Sequence, residues 1–214
     1  MTAVIHVSSN AFSDGEPIPE RFAFCTPCAQ QGSKMSTNIS PQMSWSEGPS
    51  DTQSFAFLCV DVDVPTIFAD ANQEGKALSA NMPRQDFYHS LLIDIPSTLH
   101  SLAEGAESKG LIKGGKPPGR VSHGVRGLND FTMFMASNPD MVGDYGGYDG
   151  PCPPWNDELL HHYEFRIYAL DVKSLGLAES GQFRGPDVME AIEGHIVGMG
   201  KITGTYTQNP KVTG

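Results

Sequence analysis

Three side chains able to bind or release protons stand at the ends of short apolar segments: Asp61, His89 and His161. Histidine donates one hydrogen bond when neutral and two when protonated, and a nearby carboxylate raises the protonated fraction. If folding brings the three together, the imidazoles can offset the desolvation of a small anion. Asp61 would orient one imidazole and could also receive a ligand's hydroxyl or ammonium group. This combination predicts a binding site for a small anionic or zwitterionic molecule.

Other interpretations of the same residues stay open. Asp61 and Asp63 precede Pro65 and could cap a turn through their carboxylates. Asp61, His89 and His161 could also act as general acid and base in a hydrolytic enzyme. The sequence contains no G-x-S-x-G, G-x-x-x-x-G-K-[ST] or H-E-x-x-H motif. Hydrolysis is therefore the alternative, a binding protein without a catalytic site is the main expectation, and no cofactor is expected.

The charge balance limits the partners. The chain has 14 basic and 25 acidic residues, a net charge of −11, which repels nucleic acid and anionic membranes. Apolar runs fall short of the roughly 20 residues that span a bilayer, so stable membrane insertion is not expected. The first ten residues lack the pattern of a signal peptide. The predicted location is the cytoplasm.

The four cysteines do not suggest a framework of disulfides in a chain of this length. Cys25 and Cys28 form a C-x-x-C pair, but a zinc ribbon needs a second pair, whereas Cys59 and Cys152 stand singly. No metal site is therefore predicted. For the first pair, an ordinary pair of thiols is the favoured interpretation, with a disulfide and half a metal site as alternatives. Cys59 lies in an apolar run and is expected in the core.

The elements that must position these groups are mostly strands. Segments 53–61, 88–95 and 163–172 are apolar runs typical of buried strands, and 197–206 is a strand with three glycines. Alternation places His162 on the face opposite His161, outside the site. One helix is predicted over 186–196, with Pro186 in its first turn. The composition, with 23 glycines and 16 prolines, favours a single β-rich domain over residues 1–214.

Two long segments, 110–129 and 138–156, show no periodic pattern and are predicted to be functional loops. The second contains Pro153 and Pro154, whose fixed φ angles suit a rigid wall. The first contains a small basic cluster, for which two interpretations stay open: an ordinary solvated loop, or a group that steers anions locally. Its members are His123, Lys113, Lys116, Arg120 and Arg126.

Four segments in order resemble the phosphatidylethanolamine-binding protein family. They are SPQMSWSEGPSDTQSFAFLCVDVDVP (40–65), FYHSLLIDIP (87–96), YDGPCPPWNDELLHHYEFRIYALD (148–171) and AIEGHIVGMGKITGTY (191–206). The last is similar to the bacterial branch called Raf kinase inhibitor-like. The resemblance implies a large antiparallel Greek-key sheet packed on a smaller sheet, with a few peripheral helices. It also implies a small surface cavity that holds phosphate, acetate or a phosphoethanolamine head group.

The resemblance also implies the ligand-binding residues, a homodimer, and a regulatory role resembling that of kinase or protease inhibitors. The residues are Asp61, Asp63, His89, Pro153, Pro154, His161, Tyr163 and Tyr206. Two positions depart from the family pattern. Ser90 stands where the family often has Trp, which removes an aromatic wall. His162 stands where the family commonly has Arg, which removes a permanent charge.

Overall fold

The computed structural model describes residues 2–213 as a chain of twelve strands with few helices. Met1 and Gly214, the ends of the predicted 1–214 domain, lie outside the described residues. The strands are β1 (Ala3–Val4), β2 (Val7–Ser8), β3 (Cys25–Cys28), β4 (Gly32–Met35), β5 (Met43–Trp45), β6 (Ser54–Pro65), β7 (Arg84–Pro96), β8 (Ser101–Leu102), β9 (Gly119–Val121), β10 (Gly124–Arg126), β11 (His161–Leu170) and β12 (Ile196–Tyr206). The helices are α1 (Phe131–Phe134), α2 (Gly185–Ile192) and a 3-10 turn (Glu20–Phe22).

Seven strands form the main sheet in the order β1-β12-β11-β6-β7-β10-β9. All its pairs are antiparallel except β1 with β12. A three-stranded sheet, β2-β5-β8, and the pair β3-β4 complete the strands. The prediction of a mainly β fold with a large and a smaller sheet is confirmed.

The central strand β6 is buried on both faces, as its uninterrupted apolar run predicts. Phe55, Phe57 and Cys59 pack in the core cluster that includes Trp45 of the smaller sheet. The alternate residues Ala56, Leu58 and Val60 pack with Val188 and Ile192 of α2. The main sheet therefore lies between the smaller sheet and the helix, and the end of β6 emerges from a well-packed core.

The predicted helix is too long at its C-terminal end. It stops at Ile192, and Gly194 has a φ of +82°, a left-handed conformation that suits glycine at the end of a helix. Ile196 already belongs to β12. The apolar spacing that predicted the helix continues by coincidence into the strand.

The segment 110–129 is not structureless, because it contains β9 and β10. The basic cluster predicted there is divided among separate acidic partners. Lys116 pairs with buried Asp149, Arg120 pairs with Glu179, and His123 and Arg126 share buried Glu107. These four side chains stabilise loop packing and do not form the free positive patch that local steering of anions would need.

Cys25 forms a disulfide with Cys152, and the expectation of an ordinary thiol pair is wrong. Cys25 and Cys28 are the first and last residues of β3. Three residues of extended chain separate their Cα atoms by roughly 10 Å, too far for a bond between them. Cys28 and Cys59 are free thiols, and Cys59 is buried as predicted.

Within residues 2–213, no helix is long and apolar enough to cross a bilayer.

Candidate functional site

A small cavity of about 100 Å³ opens where β6, β7 and β11 meet the segment 152–154. Six of the eight residues predicted for ligand binding line it. They are Asp61, His89, Pro153, Pro154, His161 and Tyr163. The volume suits a small ion or head group and is below the several hundred Å³ of a pocket for a drug-sized molecule.

Strand alternation and register bring the first part of the site together. Tyr163 of β11 stands opposite Asp61 of β6 in the antiparallel ladder. His161 is two residues before Tyr163, so both side chains share one face of β11. His162 lies on the other face, with its side chain 46% exposed. The core residue Phe165, Tyr163 and His161 are alternate residues of β11 and therefore lie on the same face, and the last two reach the cavity.

His89 reaches the cavity through a break in strand pairing. Cys59 pairs with Ser90 and Val60 pairs with Tyr88, which leaves His89 as an extra residue between two matched pairs. Such a β-bulge changes the direction of the side chain at the extra position. The His89 and Tyr163 rings consequently lie 5.2 Å apart at an interplanar angle of 72°.

His161 has carboxylates at both ring nitrogens. Nδ1 lies 2.7 Å from Oδ2 of Asp61, and Nε2 lies 3.1 Å from Oδ2 of Asp157. Arg84 binds the second carboxylate with two bonds, of 2.6 and 2.9 Å. Ionised carboxylates only accept hydrogen bonds, so both nitrogens of His161 donate and the ring is an imidazolium. The four residues alternate in sign and cancel in charge.

The pKa values follow from this arrangement. Burial opposes the charge of His161, but the charge of Asp61 and the hydrogen bonds to Asp157 and Asp61 raise its pKa to about 9. Burial likewise opposes ionisation of Asp61, yet the charge of His161 and its hydrogen bond hold the pKa of that carboxyl below its ordinary value. His161 is therefore a fixed cation near neutral pH, and both of its N–H groups are occupied by protein carboxylates.

His89 is in the opposite state. Its Nδ1 donates to the backbone carbonyl of Asp149 at 2.7 Å, and no hydrogen-bond partner for Nε2 lies among residues 2–213. Burial lowers the pKa of His89 more than the charge of Asp61 and the Asp149 carbonyl raise it. The neutral ring therefore keeps a lone pair on Nε2, and this nitrogen is the one available to a ligand.

The Asp149 segment that orients His89 is itself fixed by a buried polar network. The carboxylate of Asp149 binds Lys116 at 2.6 Å, Asn38 at 2.8 Å and Asn129 at 2.9 Å. The Asp149 backbone N–H donates in turn to the carbonyl of His89 at 3.0 Å. These contacts define the position of one wall and fix the tautomer of His89.

Tyr163 supplies a further polar group. Its hydroxyl is buried and has no hydrogen-bond partner in the described part of the chain. Burial raises the pKa of Tyr163 well above its ordinary value, and the charge of Asp61 and the approach of that carboxylate to the hydroxyl raise it further, so the hydroxyl stays protonated. A buried hydroxyl without a partner costs free energy that a bound acceptor would recover.

Phenylalanines form the apolar part of the cavity and its mouth. Phe87 and Phe131 contact each other edge to face at 5.4 Å. Phe68 and Phe134, 39% and 49% exposed, lie 6.1 Å apart at the opening. All four rings line the cavity. The polar groups at its base are therefore reached through an aromatic entrance.

The proline wall is held from behind. Pro153 accepts a hydrogen bond from the side chain of Gln208 at 2.5 Å, and Cys152 is tied to Cys25 by the disulfide. These contacts connect the wall to the C-terminal segment and to β3. Both prolines line the cavity, and the rigidity of the wall stays a prediction.

Two predicted ligand-binding residues lie outside the cavity lining. The register shifts between Asp61 and Val64, and Asp63 turns to accept two bonds from His162, from its backbone N–H and from Nδ1. Tyr206 is buried and donates its hydroxyl to the carbonyl of Cys25 at 2.8 Å. For both residues, protein partners occupy the group that was expected to meet a ligand.

Seven lining residues were not predicted, and Asp157, which holds His161, was also missed. The seven are Val64, Phe68, Asn72, Phe87, Phe131, Phe134 and Cys152. Asp157 and Cys152 lie within the segment 148–171 that carried the resemblance, and Phe87 is two residues before His89. Those three had a usable signal, and so did Val64, which lies in β6 within the segment 40–65, whereas the other four lining residues come from loops and α1 without a pattern that points to a site.

Comparisons with known proteins identify the family of the chain. A family model described as phosphatidylethanolamine-binding protein matches residues 8–207. A UPF0098 protein of Methanothermobacter thermautotrophicus is 30% identical over 203 residues, covering 94% of this chain and 98% of the relative. The names of such relatives state no catalytic activity.

Two solved structures have the same fold. A crystal structure described as a putative phosphatidylethanolamine-binding protein homologue from Chlamydia trachomatis aligns with a TM-score of 0.62 and 26% identity, covering 96% of this chain and 98% of that one. Escherichia coli YbcL, described as a new member of the mammalian family, aligns with a TM-score of 0.65 and 25% identity, covering 96% and 99%.

Proposed function

This chain belongs to the phosphatidylethanolamine-binding protein family, and on that premise we propose that its cavity binds a small anion or a phosphoethanolamine head group. The observation that carries the proposal is a pair of polar groups for which residues 2–213 supply no hydrogen-bond partner. These are Nε2 of His89 and the hydroxyl of Tyr163. Both belong to residues that line the same small cavity. Groups of this kind gain most from a ligand that replaces their missing hydrogen bonds.

The shape of the site supports a head group rather than a whole large molecule. The base is polar and small, while the mouth carries the exposed rings of Phe68 and Phe134. The methylene groups of ethanolamine would contact these rings, and its ammonium group would remain near the acidic surface of the protein.

The direct test is titration calorimetry of the purified protein with inorganic phosphate and with phosphoethanolamine. We expect saturable binding of both at one site per chain. His89→Asn should weaken both, and His162→Asn, which changes an exposed histidine of the opposite face, is the matched control. If the parent protein binds neither compound at millimolar concentration, the proposal is wrong.

Hydrolysis is the second candidate, because the lone pair on Nε2 of His89 has the character of a general base. A nucleophile is harder to identify: Cys152 lines the cavity, but its sulfur is held in the disulfide. A bell-shaped pH profile for cleavage of phosphate or carboxylate esters, lost in His89→Asn, would favour this candidate over binding alone.

A regulatory role, acting on a kinase or protease, and a homodimer are further proposals derived from the family. Two-fold dimers are the commonest oligomers. Light scattering at micromolar concentration would test the dimer, and a mass equal to one 23.1 kDa chain would contradict it.

The cytoplasmic location is a separate proposal, and the Cys25–Cys152 disulfide weighs against a reducing compartment. Acid quenching of cells, followed by denaturation, alkylation of the free thiols and mass spectrometry, would decide it. Four modified cysteines would support the cytoplasm, and two would support an oxidising compartment.

A further inference from the structure

The carboxylate of Asp61 restricts which anion can enter the cavity. Its Oδ2 accepts from His161, and its Oδ1 accepts the backbone N–H of Asp63 at 2.9 Å. An ionised carboxylate has no donor, and each oxygen keeps a further lone pair after these bonds. Asp61 therefore presents an acceptor to the cavity, and an oxyanion without a proton is repelled by it.

The remaining groups do not offset this repulsion. His161 is a cation, but both of its N–H groups are used by Asp61 and Asp157. His89 presents the lone pair of Nε2, because Nδ1 carries the proton that binds the Asp149 carbonyl. The lining side chains thus offer two acceptors, together with two neutral donors: the hydroxyl of Tyr163 and the amide of Asn72, whose Oδ1 already accepts the backbone N–H of Trp155.

Further charges surround these groups and already contact other protein groups. Asp130, on the α1 side of His89, accepts the backbone N–H of Tyr88 at 2.7 Å. Asp149, on the loop side, is paired with Lys116, and Arg84 is paired with Asp157. The guanidinium Nε of Arg84 has no partner within residues 2–213, but Arg84 does not line the cavity, so a fully ionised oxyanion would meet no free cationic donor among the lining residues.

Resting on the proposed function, we propose that the cavity selects oxyanions that carry their own acidic proton, with a phosphate monoester monoanion as the ligand class. The P–OH group donates to an acceptor at the base, Asp61 or Nε2 of His89, while another phosphate oxygen accepts from Tyr163. A sulfate ester of the same shape has no proton to donate near neutral pH and is rejected. The selectivity therefore depends on the proton and not on size.

Phosphoethanolamine and 2-aminoethyl sulfate form a matched pair of probes, with the same chain and ammonium group. A phosphate monoester has a second pKa of about 6, so it supplies a monoanion near neutrality. At pH 6.5, calorimetry should show phosphoethanolamine bound about 100-fold more tightly, the ratio expected when a buried charged acceptor is left unpaired. At pH 7.5, binding should take up close to one proton, seen as a dependence of the enthalpy on buffer ionisation.

Asp61→Asn replaces a carboxylate oxygen by an amide donor and should reduce the preference for phosphate below about tenfold. Asp63→Asn is the matched control, because that carboxylate binds His162 outside the cavity lining, and it should keep the parent's preference. The two measurements on the parent protein decide the question even if Asp61→Asn does not fold.

The outcomes separate the two proposals. Equal affinity for the two probes, or phosphate binding without proton uptake, overturns this inference and leaves head-group binding intact. If 2-aminoethyl sulfate binds more tightly only as His89 becomes protonated, the required proton comes from the protein and not from the ligand. That outcome also overturns this inference. Failure of the parent to bind either phosphoethanolamine or inorganic phosphate overturns the proposed function, and this inference with it.

Discussion

Nδ1 of His161 and Oδ2 of Asp61 lie 2.7 Å apart, deep in the site, and the histidine is held on its other side by Asp157. The residue whose position most suggested a ligand donor thus has no donor left for a ligand. His89 keeps one ring nitrogen free and is neutral. The two histidines therefore have different roles. His161 is a fixed charge that orients Asp61, and His89 is the group that meets the ligand.

The first prediction concerns the pH dependence of stability. The pKa of His161 is raised to about 9, above the ordinary 6.5 of the unfolded chain. Its contribution is therefore complete below pH 6.5 and is lost as the pH rises through 9. The difference amounts to roughly 3 kcal/mol of unfolding free energy. Denaturant unfolding at pH 6.5 and 9.5 measures it, and His161→Gln should lack this component.

The protonation state can also be read directly. At pH 7.5, the ring nitrogens of His161 should both give the ¹⁵N chemical shifts of protonated imidazolium, whereas Nε2 of His89 should give the shift of an unprotonated nitrogen. A neutral His161 at this pH would contradict the charge assignment and the stability prediction together.

The second prediction separates the two histidines by mutation. His161→Ala leaves Asp61 and Asp157 buried without their shared cation, which should cost about 3–5 kcal/mol. His89→Asn keeps a donor near the Asp149 carbonyl and removes Nε2, so binding of phosphoethanolamine should fall while the melting temperature changes little. Calorimetry and thermal melts of both variants are the measurements. A His161→Ala protein as stable as the parent would contradict the assignment of His161 as a cation held between Asp61 and Asp157.

The sequence predicted the strands of the site because β6 and β11 are apolar runs that end in polar residues. Alternation then assigned His161 and His162 to opposite faces correctly. The bulge at His89 could not be predicted, because it depends on how β7 pairs with β6. His89 was assigned to the site only through the resemblance to the family.

Long-range partners were the other gap. The disulfide joins residues 127 positions apart, and Asp157 reaches His161 from a segment without regular structure. Neither contact leaves a periodic signal. Asp63 and Tyr206 were assigned to the site by resemblance. A local register shift instead directs Asp63 to His162, and the hydroxyl of Tyr206 binds a backbone carbonyl. Contacts of this kind are set by the folded chain and not by local pattern.

The third prediction tests the core next to the site. Phe165 is fully buried and contacts Phe12 and Phe57. Phe165→Ala should leave a cavity and cost about 3–5 kcal/mol. Binding should persist wherever the variant is still folded, because the residue does not line the site. Met199→Ala, at a 49% exposed position of β12, is the control and should change stability little. Lost binding in folded Phe165→Ala would contradict this separation.

The fourth prediction concerns the disulfide behind the cavity wall. Cys25 and Cys152 close a loop of 127 residues, and a native bond of this kind stabilises a protein by about 2–5 kcal/mol. The double variant Cys25→Ser/Cys152→Ser should lose that stability and bind phosphoethanolamine more weakly, because Cys152 precedes the wall residue Pro153. A reductant should lower the melting temperature of the parent but not of the double variant. Cys28→Ser, at a free thiol, should behave like the parent. Four alkylated cysteines in protein purified without reductant, or a parent melt that a reductant leaves unchanged, would show that the bond does not hold the wall.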